Sequence, residues 1–173
     1  MPRPVHPTLR SYDAAGWQYF FAAVVGAAAA LTGLLFVAVS INLDRILSAH
    51  KYLPARAAET LGTLMMVLLS AALVLVPQST RLLGVEILVI VVPMIVLTTR
   101  NQWAYWHDDL DDPTTWFVSR MVATAIGTVP GAVAGLSLII RWGGGLYWLV
   151  PTVLLGIGGA VYSAWVLLIE IAR

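Results

Sequence analysis

Cysteine is missing from all 173 residues. The chain therefore holds no disulfide, no thiolate ligand, no haem-attachment motif and no thiol nucleophile. Charge is scarce too, since Asp, Glu, Lys and Arg make up 11% of the residues, against about 25% in a soluble domain. The ten basic and nine acidic side chains leave a net charge of +1, so the basic field that nucleic-acid binding needs is absent. Long polar stretches are missing as well. The longest, Arg100 to Thr115, is the size of a loop, which excludes a separate soluble domain. No HExxH zinc motif, GxSxG elbow, phosphate-cradling loop or pair of intramembrane aspartates occurs. Gly143-Gly144-Gly145 is too short and wrongly placed to hold a nucleotide. The sequence thus offers no catalytic residue and no cofactor site.

Apolar residues are abundant: 60% of the chain is hydrophobic and the mean hydropathy is +0.85. This composition predicts an all-α integral membrane bundle, with the bilayer as its first partner. A hydrocarbon core of about 30 Å needs about 20 helical residues. Five runs of that order follow a polar tail over 1–16: residues 17–43, 57–76, 82–99, 113–140 and 146–171. The first is longer than the apolar core of a secretory signal and no small-residue cleavage motif follows it, so it reads as a retained span. Pro77 to Arg81 and Arg141 to Gly145 break the runs and predict tight reversals. Residues 17–173 thus form one membrane domain.

Five crossings put the termini on opposite faces. Tyr12, Trp17, Tyr19, Trp142, Tyr147 and Trp148 then gather at one interface, and Tyr52, Trp103, Tyr105, Trp106 and Trp116 at the other. Six Lys and Arg fall on the C-terminal side (Arg45, Lys51, Arg56, Arg100, Arg120, Arg173) against Arg3, Arg10, Arg81 and Arg141 on the other. By the positive-inside rule the N-terminus is outside a cell membrane and the C-terminus cytoplasmic.

Small residues recur at helical spacing. Ala22, Gly26, Ala30 and Gly33 share a face of the first span, Gly127, Gly131 and Gly135 form GxxxGxxxG in the fourth with Pro130 inside it, and Gly156 and Ala160 repeat the theme in the last. Such faces let backbones approach where burial from water supplies no drive. They pack helices within one subunit, or one of them, foremost that of the fourth span, packs against a neighbouring copy in a homo-oligomer. A Leu at Gly131 is expected to disrupt, and one at Gly143 in the loop to be mild.

Polar residues collect at one membrane edge: Asn42, Asp44, Arg45, Arg56, Glu59, Arg100, Arg120 and Glu170. Ionisable groups so near lipid need partners or water. They clamp helix ends together, or they form a polar vestibule. His107, Asp108, Asp109, Asp111 and Asp112 offer oxygen and imidazole ligands to a divalent metal, yet Asp112-Pro113 also fits an N-cap and first helical position. The segment Ser40-Ile-Asn-Leu-Asp-Arg45 resembles the end of the first span in small bacterial multi-pass membrane proteins, a likeness that implies no activity.

The function expected from these features is a small self-associating membrane protein that forms or lines a solute or ion pathway, with cations preferred. The alternative is an accessory or assembly subunit docked on a larger membrane complex, and a third reading is a membrane-embedded enzyme. Because the chain has no background thiol, Ser11→Cys and Ser48→Cys should react with a membrane-impermeant maleimide from opposite sides. Labelling of both from one side would remove the first crossing.

Overall fold

The computed structural model describes residues 11–49, 53–106 and 113–172; side chains at 48–49, 53, 104–106, 113–123, 166–168 and 170–172 lie outside the description. Among the described residues every regular element is helical, as a lipid-embedded chain requires, because a helix satisfies its backbone groups internally. The elements are α1 (Gln18–Ile41), a short α2 (Leu43–Ala49), α3 (Leu53–Leu75), α4 (Thr80–Trp106), α5 (Pro113–Ile140) and α6 (Leu149–Ala172), with single 3-10 turns at Ala14–Trp17 and Gly145–Trp148. The chain is an all-α membrane bundle.

Local chemistry sets the helix ends. Asp13 opens the first 3-10 turn, its Oδ1 accepting from the Ala15 amide at 3.1 Å. Asn42 ends α1 by turning Nδ2 back onto the Ala38 carbonyl at 2.9 Å, and α2 restarts one residue later. Between α3 and α4, Ser79 Oγ accepts from the Leu82 amide at 3.3 Å, one of the amides that a helix start leaves open. At the last reversal Arg141, Gly143, Gly144 and Gly145 all have positive φ, of 59°, 92°, 115° and 54°, a region that glycine enters without a Cβ penalty. Gly143 therefore differs from expectation. A Leu there has room, but it would have to adopt a left-handed backbone, so the substitution is strained and not mild. Gly145 receives the N-terminal segment: the Leu146 amide donates to the Ser11 carbonyl at 2.9 Å, and a Cβ on Gly145 would strike that same carbonyl.

Cross-links at the two ends show that successive long helices run in opposite directions. At one end Arg141 Nε donates to Thr80 Oγ1 at 3.1 Å, and the Trp17 and Tyr147 rings meet edge-on at 4.7 Å. At the other, Gln102 of α4 meets Thr124 of α5. The predicted interfacial aromatics Tyr12, Trp17, Tyr147 and Trp148 thus share the Arg141 end. α3, α4, α5 and α6 close a ring, each touching the next, while α1 lies outside it against α3.

Among the described residues four helices are long and apolar enough to cross a bilayer: Ala14–Ile41, Pro54–Leu75, Thr80–Trp103 and Gly145–Trp165. The remaining predicted span, the fourth, is α5, a helix of 28 residues, about 42 Å at 1.5 Å per residue. Its described side chains, Thr124–Ile140, form an apolar stretch.

The core lies toward the Arg141 end, within the ring and between the ring and α1. Phe21 and Ala28 of α1, Val67 and Ala71 of α3, Ile87 and Val91 of α4, Ala134 and Leu138 of α5 and Leu149 of α6 are all fully buried there. Glycines set the spacing. A Cβ on Gly84 would lie 2.7 Å from the Gly135 carbonyl, and one on Gly135 would lie 3.0 Å from the Gly84 carbonyl, so α4 and α5 touch backbone to backbone. Gly131 sits against Val91 and Thr152, each at 3.2 Å, and Gly156 against Val67 at 2.7 Å. The glycine face of α5 thus packs within the chain at Gly131 and Gly135, the first of the two arrangements expected of such faces. Gly26 and Gly33 of α1 have open space around them.

Gly84→Ala should lower stability by about 1–3 kcal/mol through overpacking on a carbonyl that cannot move aside. Gly26→Ala should be neutral to slightly stabilising. Thermal unfolding in one detergent would separate them, and equal effects would remove the close α4–α5 contact.

Candidate functional site

The half of the ring nearer Arg56 is built differently. There the four helices enclose a cavity of about 450 Å³. α3 supplies Arg56, Glu59, Thr60 and Thr63, α4 supplies Met94 and Thr98, α5 supplies Thr124, Gly127 and Thr128, and α6 supplies Leu155, Gly156, Gly159, Ala160, Tyr162 and Ser163. On α3 the spacing of 56, 59, 60 and 63 is that of one helical face, which continues through Val67 into the core. The same helical face thus passes from the cavity into the buried core.

Its hydroxyls share one arrangement. Thr60 Oγ1 donates to the Arg56 carbonyl at 2.9 Å, Thr63 to Glu59 at 2.9 Å, Thr98 to Met94 at 2.7 Å and Thr128 to Thr124 at 2.8 Å. Each hydrogen is committed to a carbonyl one turn back in the same helix. What remains on each oxygen is lone-pair density, so these four groups act as acceptors. Thr60, Thr98 and Thr128 are each 4–5% exposed, which makes the acceptors part of the packed wall. Glu59 and Arg56 bring one carboxylate and one guanidinium to the described lining.

Gln102 braces this wall from behind. It is 1% exposed and its Nε2 donates to Thr124 Oγ1 at 2.8 Å, linking α4 to α5 beside the cavity. At the far end Gln78 plays a similar part, donating Nε2 to Glu86 Oε2 at 2.7 Å and to the Leu73 carbonyl at 3.1 Å. Glu86, the acidic residue set apart from the others in the sequence, is held by that amide.

Part of the predicted charged edge falls within the description. Arg56 and Glu59 face the cavity. Asp44 and Arg45 lie exposed on α2, and Arg100 is exposed near the end of α4. Asn42 caps α1, and the Arg120 and Glu170 side chains lie outside the description. Of the predicted packing glycines, Gly127 and Gly156 line the cavity, and Gly127 has nothing within 4 Å of the place a Cβ would take. The predicted metal residues His107, Asp108, Asp109, Asp111 and Asp112 also lie outside the described residues, among which no cluster suited to a metal occurs. Sequence reasoning missed Gln102, Thr63, Thr98 and Thr128. Their signal was present as polar side chains recurring on the inward faces of apolar helices.

Comparison of the chain with protein-family models, with curated proteins and with solved structures finds no match.

A thermal-unfolding cycle tests the brace. Thr124→Val, which strands a buried amide, should cost about 1–3 kcal/mol, whereas Gln102→Met should cost about 0.5–1.5 kcal/mol. The double variant should cost less than the sum of the two. Strict additivity would mean that the two side chains do not interact.

Proposed function

We propose that this membrane protein provides the polar mouth of a pathway that prefers cations, with the cavity among α3, α4, α5 and α6 as its entrance. The observation that carries the reading is the committed state of the threonine hydroxyls: with the Arg56 and Glu59 charges opposing each other in the lining, the surplus of acceptor oxygens is what favours a positive charge. The excess of Lys and Arg at this end supports a mouth on the cytoplasmic side of a cell membrane. The lining residue Gly156 packs on the fully buried Val67 of the apolar core, so passage to the other face requires that core to part, a hydrophobic constriction of the kind that gates by dewetting.

One observation favours the accessory-subunit reading. The small-residue face of α1, with Gly26 and Gly33 exposed and nothing within 4 Å of either, leaves a backbone open to close approach by another helix. That helix belongs to a second copy or to another chain of a larger complex.

Ion flux from liposomes holding the purified chain separates the readings. Cation flux above that of empty vesicles, reduced severalfold by Glu59→Gln at unchanged oligomeric size, is the expected result. A folded wild-type chain that passes no ion and is extracted from its membrane with other chains bound would favour the accessory role.

A further inference from the structure

The cavity reaches the lipid-facing surface as well as the end of the bundle. α5 and α6 meet at Gly131 and Thr152, where a Cβ on the glycine would lie 3.2 Å from the threonine methyl. Toward the Arg56 end the seam opens. Gly127 of α5 and Gly159 of α6 line the gap, and neither has an atom within 4 Å of the place a Cβ would take. Leu155 and Tyr162, on the same stretch of α6, line the cavity while 45% and 67% exposed. A side chain that both lines a cavity and faces outward marks an opening, and this one faces the bilayer.

From this geometry we infer that the cavity takes an amphipathic organic cation, an ammonium or phosphonium carrying hydrocarbon groups, which enters from the lipid between α5 and α6. The inference rests on the proposed reading of the cavity as a space for positive charge. A bare divalent ion wants six to eight oxygens at about 2.3–2.6 Å, whereas a space of about 450 Å³ has the size of a small-molecule pocket. The wall is divided in kind. Glu59 and the threonine oxygens suit the charged centre, while Met94, Leu155 and Ala160 suit hydrocarbon, and the Tyr162 ring at the opening offers its face to a passing cation. Arg56 lies one turn nearer the helix start than Glu59, so the carboxylate is the deeper of the two charges.

Tetraphenylphosphonium and tetraphenylborate, which share a shape and differ in sign, provide the probes. Binding of each to the full chain in lipid nanodiscs is measured by equilibrium dialysis, with empty nanodiscs subtracted. The phosphonium should bind saturably and the borate should not. Glu59→Gln should weaken binding by about tenfold, the worth of one charge-assisted contact. Gly159→Leu should slow or weaken binding by narrowing the seam, while Gly158→Leu, exposed and outside the lining, should leave it unchanged; both positions have open space, so both variants should fold. Equal binding of the two probes, or equal effects of the two glycine substitutions, would overturn the inference. Potassium flux without saturable phosphonium binding would overturn it while leaving the pathway reading standing. Phosphonium binding without flux of any ion would support it and remove conduction.

Discussion

The backbone contact of Gly84 with Gly135 is the point from which the rest of the bundle is arranged. Lipid gives helices no hydrophobic reason to associate, so attraction comes from close packing, and packing is closest where neither helix carries a side chain. With α4 and α5 joined in this way, Gly131 can seat against Val91 and Thr152, and Gly156 against Val67. The ring is therefore dry and tight toward Arg141. Toward Arg56 the glycines Gly127 and Gly159 face no partner, and the same four helices enclose space. One residue type does opposite work in the two halves, according to whether another helix is near enough to use the room.

The polar groups follow a second constraint. A hydroxyl in a membrane bundle must place its hydrogen somewhere, and the nearest acceptor is the carbonyl one turn back. Thr32, Thr60, Thr63, Thr98 and Thr128 all use it. Around the cavity the consequence is collective, since several such oxygens turn only their acceptor side to the same space. Amides serve where two helices must be joined, as Gln102 joins α4 to α5 and Gln78 ties the end of α3 to Glu86.

Much of the fold was legible in the sequence because membrane helices advertise themselves by length and composition. The breaks at Pro77 and at Gly143 to Gly145 lie where the chain reverses, and Trp17 and Tyr147 sit together as interfacial aromatics should. The candidate site was less legible. Spacing identified the face of Gly127, Gly131 and Gly135, but not which of them would be covered. Gly84 stands alone among bulky residues, so no small-residue pattern marks it, and its role exists only opposite Gly135. Glu59 stood out by its charge, whereas Thr98 and Gln102 are ordinary until helices far apart in sequence bring them to one cavity. At Gly143, loop position suggested tolerance and the sign of φ decides otherwise.

Water is the most direct witness to the division between the two halves. Solid-state NMR of the chain in lipid bilayers can transfer magnetisation from mobile water to nearby side chains. Rapid transfer to Thr60, Thr63, Thr98 and Thr128, with none to Val67, Val91 or Leu138, is the result that a hydrated acceptor-lined cavity stopped by an apolar core predicts. Threonines as dry as the valines, or valines as wet as the threonines, would contradict it.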